Sequence, residues 1–148
     1  MSPDPDEASQ ALRSALLKGQ LDLLTDCLSE HPEWVHVPIP GSPWTLEEGD
    51  PKSSATRAVH FCSLAGREVL LKVVLAHGPD LEVRTFEENK GLTTPLVLAA
   101  WEGSLESCRL LLEAGANPQA RASAESPLYS AAEHGAFDKV DLLLRYGA

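Results

Sequence analysis

Histidines and carboxylates are the residues of this chain whose types could support acid–base chemistry or bind a metal. The five histidines are His31, His36, His60, His77 and His134. None of them stands in an HExxH spacing or in a Cys/His spacing typical of zinc sites. His31 and His36 are five residues apart, with Glu30 and Glu33 beside them. A metal-binding loop and a solvated loop are both compatible with this cluster, and we expect the solvated loop.

The three cysteines give no stronger indication of catalysis. Cys27, Cys62 and Cys108 are far apart and odd in number, which excludes a disulfide framework built from pairs. Each takes the place of a small or apolar residue in a helical stripe, so we expect buried thiols whose pKa is raised by burial. The chain also has no nucleophile elbow, phosphate-binding loop or dinucleotide fingerprint. We therefore predict that it is not an enzyme and has no catalytic residue, cofactor or metal.

Charge and hydropathy narrow the classes of partner. The 148 residues carry a formal net charge of -10, which argues against binding to nucleic acid, because that binding depends on Lys and Arg. A basic or mixed-charge protein partner is more compatible with this charge. The first residues are acidic and polar rather than a signal peptide, and no apolar run approaches the roughly 20 residues of a membrane span. We expect a protein of the cytoplasm, or of the nucleus, that binds no membrane.

The elements that would position any functional residue are repeated along the chain. The ten residues from Thr94 to Gly103 are echoed by those from Ser126 to Gly135, and each is followed by an apolar helical pattern that ends in Gly-Ala. Such self-similarity is typical of stacked helix pairs. Thr94 and Ser126 are predicted N-caps, each followed by a proline at the first helical position. Gly103 is predicted to end its helix in the left-handed conformation.

Two less regular units precede this pair. In residues 56–84, Arg57-Ala58-Val59-His60 stands at the start of the first helix without the cap and the proline, so we expect a less sharply defined helix start. Residues 7–30 carry two apolar stripes and a polar outer face, which suits a terminal unit that shields the stack from water. Residues 31–55 form a long insertion with five prolines, and a shorter insertion spans residues 84–91.

These units resemble the ankyrin repeat, whose pattern is TPLHxAAxxG followed by xxxxVxxLLxxGA. The resemblance is close in residues 92–120 and 124–148, moderate in 56–84 and weak in 7–30. It implies a single all-α domain over residues 1–148, an ankyrin-repeat solenoid of about four helix-turn-helix units joined by hairpins or loops. In that family the motif histidine is a structural hydrogen-bonding residue, which His60 is expected to be.

The same resemblance implies non-catalytic protein recognition, for example as an adaptor or substrate receptor of the ankyrin-and-SOCS-box kind, although no SOCS box lies in these residues. The alternative is a regulatory domain of a larger protein or enzyme that docks on its own parent chain. The three leucines of residues 142–144 further suggest that the stack continues beyond residue 148, or that a partner covers this end.

The family grips its partners with its finger loops and with the two residues before each turn glycine. The residues predicted to bind a partner are Trp44, Leu64, Phe86, Glu87, Trp101, Glu102, Glu125, Tyr129, Glu133 and His134. Trp101 is the predicted aromatic anchor of an acidic groove, and Leu64 is expected to extend the groove as an apolar patch. Such a surface suits a peptide or loop with Lys or Arg near an apolar residue.

The two insertions leave alternatives open. Trp34 is expected to fold back onto the stack, whereas exposure and burial of Trp44 are both compatible with the sequence. Phe86 and Glu87 lie near the tip of the shorter insertion. They would either contact a basic partner or belong to an ordinary solvated hairpin.

Overall fold

Helix pairs make up most of the part of the chain that the structure, a computed structural model, describes. The described residues are 4–39, 56–64, 67–87, 91–121 and 126–148. The first half contains α1 (Pro5–Leu17), α2 (Leu21–Glu30), a 3₁₀ helix (Pro32–His36), α3 (Ala58–Cys62) and α4 (Glu68–Leu75). The second half contains β1 (Thr85–Glu87), β2 (Gly91–Thr93), α5 (Pro95–Glu102), α6 (Leu105–Glu113), α7 (Pro127–Glu133) and α8 (Phe137–Arg145).

The helices are arranged in two layers. The first helices of the pairs, α1, α3, α5 and α7, contact one another in that order, and the second helices, α2, α4, α6 and α8, do the same in a parallel layer. Each pair therefore rests on its neighbours in sequence, as in other stacks of helical repeats. The predicted all-α solenoid of about four units is confirmed.

The starts of α5 and α7 carry the predicted caps. The Thr94 hydroxyl accepts a hydrogen bond from the Val97 N–H at 3.3 Å, and the Ser126 hydroxyl accepts one from the Tyr129 N–H at 3.1 Å. Both helices then begin with proline, which has no N–H to leave unsatisfied. Local sequence thus fixes where α5 and α7 begin.

Gly103 corrects one expectation. It was predicted to be left-handed, but its φ is −86° and its ψ is 179°. A Cβ at this position would lie 2.6 Å from the Ala99 Cα and 2.6 Å from the Ser63 carbonyl oxygen, which belongs to the preceding unit. Gly103 is therefore needed for close backbone packing. Gly135, at the same place in the next unit, is left-handed with φ 67°.

The start of α3 is held by a side chain that lies inside the helix. Nδ1 of His60 accepts a hydrogen bond from the Arg57 N–H at 2.9 Å, and Nε2 then donates to the Val83 carbonyl at 2.7 Å. His60 is fully buried. Its predicted structural role is confirmed. In a helix of five residues whose N-cap side chain makes no capping hydrogen bond, the His60 ring fixes the helix start instead.

The described part of the long insertion packs onto the stack. Trp34 is 7% exposed and Ile39 is fully buried, which confirms the prediction for Trp34. The Ile39 N–H donates a hydrogen bond to the carbonyl of Thr56 at 2.7 Å, so the two residues that flank segment 40–55 lie side by side. The prediction for Trp44 falls in that segment, outside the described residues.

The shorter insertion contains a two-stranded hairpin between the second and third helix pairs. β1 and β2 are antiparallel, with Phe86 opposite Leu92 and Glu87 opposite Gly91. An inter-repeat hairpin was predicted here and is confirmed. Residues 88–90 and the side chains of Phe86 and Glu87 lie outside what the structure describes, so the two alternatives for this tip stay open.

The thiols lie where apolar side chains would otherwise pack. Cys62 and Cys108 are fully buried, and burial raises the pKa of each to about 12. The prediction of buried thiols is confirmed for these two. Cys27 is half-buried, and burial raises its pKa as well. Among the described residues, no helix has the length and apolar character needed to cross a bilayer.

Candidate functional site

The ends of α5 and α7 bring four of the predicted partner-binding residues to one side of the stack. Trp101 and Glu102 are the last residues of α5. Glu133 is the last residue of α7, and His134 caps it. Because α5 and α7 are neighbours in one layer, both helix ends contribute to the same surface. We call these four residues the aromatic–acidic surface.

An aromatic pair joins the two helices at this surface. The rings of Trp101 and His134 have their centroids 6.1 Å apart and are tilted by 55°. Nδ1 of His134 donates a hydrogen bond to the Ser130 carbonyl at 2.9 Å, which holds the imidazole against its own helix. Tilted aromatic pairs at this separation are favourable, so the Trp101 ring has a defined neighbour across the gap between units.

The residues of this surface differ in burial and in charge. Trp101 is half-buried, so part of the indole packs within the stack and part faces solvent. Glu102 and Glu133 are exposed. The surface therefore places an aromatic ring and two carboxylates at the ends of neighbouring helices.

Lys139 is a residue of this region that the sequence analysis did not identify. It lies on α8, and its Nζ donates to the carbonyl of Ala100 at 3.4 Å, near the end of α5. A lysine here satisfies a carbonyl in the last turn of α5 and meets the negative end of the helix dipole. The alignment of units would have indicated it, since Lys139 occupies the position of the buried Ser107.

The remaining predicted residues lie elsewhere. Leu64 is 5% exposed and packs in the interior. It therefore adds little exposed area to the apolar patch that the sequence led us to expect. Tyr129 is 55% exposed in the first turn of α7, whereas Glu133 and His134 are at the other end of that helix. Glu125 and Trp44 lie outside the described residues.

The histidine cluster of the long insertion is a packing feature. The His31 ring stacks on Trp34 with centroids 4.5 Å apart and planes 15° apart. Nδ1 of His31 lies 3.5 Å from a carboxylate oxygen of Glu33. In the part of the chain that the structure describes, no group of three or more His, Cys, Asp and Glu side chains is arranged to hold a metal ion.

Comparison with known proteins finds a match to one protein family and similarity to two curated proteins. The sequence model of ankyrin repeats matches residues 17–122 as three copies. Over 102 residues, or 66% of this chain, the sequence is 32% identical to ankyrin repeat and SOCS box protein 16 of Mus musculus, covering 22% of that protein. Over 78 residues, or 53% of this chain, it is 32% identical to a transient receptor potential cation channel subfamily A member 1 homolog of Caenorhabditis elegans, covering 6% of it.

The chain therefore spans only a small part of the length of each of these curated relatives. The matched ankyrin repeats indicate a protein–protein interaction module. Two layers of paired helices in register and the match over residues 17–122 agree. The chain belongs to the ankyrin-repeat family.

Proposed function

We propose that this chain is a non-catalytic recognition module that binds a protein segment carrying Lys or Arg next to an apolar residue. The observation that carries the proposal is the aromatic–acidic surface, where the Trp101 and His134 rings lie 6.1 Å apart and Glu102 and Glu133 are exposed next to them in sequence. The ankyrin repeat is a protein-interaction fold, and this surface is the part of its described residues that best combines an anchor with charge.

The chemistry of recognition follows from the side chains. A Lys or Arg stem would lie along the open part of the Trp101 ring, with its charge close to the carboxylates of Glu102 and Glu133. Tryptophan is enriched among the few residues that carry most of the energy of an interface. The net charge of -10 would draw a basic segment towards the chain and speed the encounter.

The wider role is that of an adaptor or substrate receptor in the cytoplasm or nucleus. Similarity to an ankyrin repeat and SOCS box protein supports this role, and the buried thiols Cys62 and Cys108 are compatible with a reducing compartment. The second candidate is a regulatory domain that docks on its own parent chain. Similarity to part of a channel subunit homolog favours that candidate.

A peptide selection tests the recognition chemistry. A displayed library of random peptides is selected on the wild-type chain, and the dissociation constant of the best peptide is measured by fluorescence anisotropy. We expect enrichment of Lys or Arg beside an apolar residue, and we expect Trp101→Ala to weaken binding at least about tenfold, as for other interface anchors.

The matched control is Val69→Ala, which shortens an exposed apolar side chain on the other layer of helices. It should leave the affinity unchanged. A selection that yields acidic peptides, or equal affinities for the wild type and Trp101→Ala, would refute the proposed surface.

A further inference from the structure

A groove with a volume of about 610 Å³ lies between α6 and α8 in the layer of second helices. Its apolar members include Leu105, which is 40% exposed, and the half-buried Leu142. The residues that line it are Leu105, Glu106 and Arg109 of α6 and Asp138, Asp141, Leu142 and Arg145 of α8. We call it the outer groove. It shares no residue with the aromatic–acidic surface.

Four charged residues alternate in sign along and across these two helices. α6 carries Arg109 and, one turn later, Glu113, whereas α8 carries Asp141 and, one turn later, Arg145. The alignment of the two units matches Arg109 with Asp141 and Glu113 with Arg145. All four side chains are exposed. We call these four residues the charge square.

The exposure of the charge square belongs to its position in the unit. α6 packs between α4 and α8, so it has a neighbouring helix on each side, and yet Arg109 and Glu113 are exposed. These positions therefore face outward from the layer. Asp141 and Arg145 occupy the same positions on α8, so a helix packed on the far side of α8 would leave them exposed as well.

Most charges of the square are available to a second molecule. Arg109 forms an ion pair with Glu106 on its own helix. Within the described part of the chain, Glu113, Asp141 and Arg145 form no ion pair. The square thus offers two carboxylates and one guanidinium for pairing across an interface.

We propose that the outer groove is the interface of a symmetric dimer, in which a second copy of this chain packs with its α6 and α8 antiparallel to those of the first. The twofold axis lies in the plane of the interface and crosses α8 midway between Asp141 and Arg145. It brings Asp141 opposite Arg145 of the second copy, and Arg109 opposite Glu113 of the second copy. A surface must be self-complementary in this way to form an isologous contact.

The alternating charges select this arrangement. Each opposite-charge pair occurs twice across the axis, and Leu142 lies one residue from the midpoint of Asp141 and Arg145, where it excludes water. A parallel arrangement in register would place like charges opposite each other, which is costly. The charge square is neutral, and the net charge of -10 on the whole chain acts weakly beyond the Debye length of about 8 Å at physiological salt.

Sedimentation equilibrium of the 148-residue chain tests the proposal. Two helices of three turns offer less area than the roughly 800 Å² per partner of a stable interface, so we expect a weak dimer with a dissociation constant of about 10 to 100 μM. Asp141→Arg and Arg145→Asp should each weaken it at least about tenfold, because like charges then face each other. The two variants change the net charge in opposite directions, so net charge cannot explain a common loss.

Mixing the two variants tests the geometry of the contact. An equimolar mixture of Asp141→Arg and Arg145→Asp should form a heterodimer with an affinity close to that of the wild type, because each reversed charge then faces an opposite charge on the other variant. Two misfolded variants could not produce this rescue. Glu30→Arg, at an exposed residue that ends α2, changes the net charge as Asp141→Arg does and should dimerise like the wild type.

Three results would overturn the proposal. A chain that stays monomeric up to about 1 mM would leave the outer groove to a different protein. A dimer that both charge reversals leave intact would assign self-association to another surface. Two monomeric variants whose mixture stays monomeric would exclude the antiparallel contact of Asp141 with Arg145. None of these results depends on peptide binding at Trp101, so this proposal and the proposed function can fail separately.

Discussion

His60 is hydrogen-bonded at both ring nitrogens, and this arrangement is compatible only with the neutral imidazole. Nδ1 accepts from the Arg57 N–H, so a proton on Nδ1 would face another donor. Burial, with a smaller contribution from the charge of Arg57, lowers the pKa of His60 from 6.5 to about 4, although its bond to the Val83 carbonyl acts in the opposite direction. The folded state thus binds this proton more weakly than the unfolded state does.

This difference predicts a pH dependence of stability. Because the pKa is lower in the folded state, the unfolded state takes up a proton first as the pH falls below 6.5, and the free energy of unfolding decreases down to pH 4. Between pH 7 and pH 5 we expect His60 to account for a loss of about 2 kcal/mol. Urea titrations at the two pH values measure it.

His60→Gln removes the titrating group while keeping a polar side chain, and it should flatten this part of the pH profile. His36→Gln, at an exposed residue of the 3₁₀ helix, should keep the slope of the wild type. Equal slopes for the wild type and His60→Gln would exclude His60 as the source.

Single residues also show which parts of the site were predictable. Trp101, Glu102, Glu133 and His134 could be placed from the motif, because the position of a residue before the turn glycine determines which side it faces. The burial of Leu64 could not be predicted from the motif, since burial depends on how neighbouring units cover each other in three dimensions. The alignment with the buried Ser107 marks the position of Lys139 as an inward one, whereas its bond to the Ala100 carbonyl depends on packing between helix pairs.

At the scale of helices, Gly103 and Gly135 occupy equivalent positions for different physical reasons. Gly135 adopts φ 67° with open space around its Cβ position, whereas Gly103 has an ordinary φ and no space. The sequence showed a glycine after each helix but did not distinguish these roles, because the obstacle to a side chain at Gly103 is partly the Ser63 carbonyl of another unit.

The two glycines therefore predict different costs for the same substitution. Gly135→Ala places alanine in the left-handed region and should lower the free energy of unfolding by about 1 kcal/mol. Gly103→Ala forces two backbones apart and should cost about 3 kcal/mol. Denaturant unfolding of both variants measures the difference. A cost for Gly103→Ala no greater than that for Gly135→Ala would contradict the close-packing explanation.

Across the whole molecule, loops as well as helices connect successive units. The Glu82 carboxylate accepts a hydrogen bond from the Asn117 N–H at 2.8 Å, and the Gln119 side-chain amide donates to the Gly147 carbonyl at 2.9 Å. Glu82 and Gln119 hold corresponding places in their units, so each reaches to the turn of the next one. Repeated motifs predicted the stack, whereas these links involve residues that the motif leaves variable.

Nearest-neighbour packing makes stability uneven along such a stack. α6 lies between α4 and α8 and buries Ser107, Cys108, Leu111 and Leu112. α8, all of which is described, packs on α6 within its layer and fully buries Leu143. Leaving half of a leucine side chain exposed loses about 1 kcal/mol of the stabilisation that full burial would give. The exposed Tyr129 on α7 adds to this loss.

We therefore expect the last helix pair to open before the others in the 148-residue chain. After correction for intrinsic rates, amides of α8 should exchange at least about tenfold faster than those of α6. α2 serves as the internal comparison, because it is also in a terminal pair but is covered by the 3₁₀ helix with its buried Trp34 and Val35. Its amides should exchange more slowly than those of α8. Exchange in α8 as slow as in α6 would mean that the stack unfolds as one cooperative unit and that the exposed apolar side chains of α7 and α8 cost it no local stability.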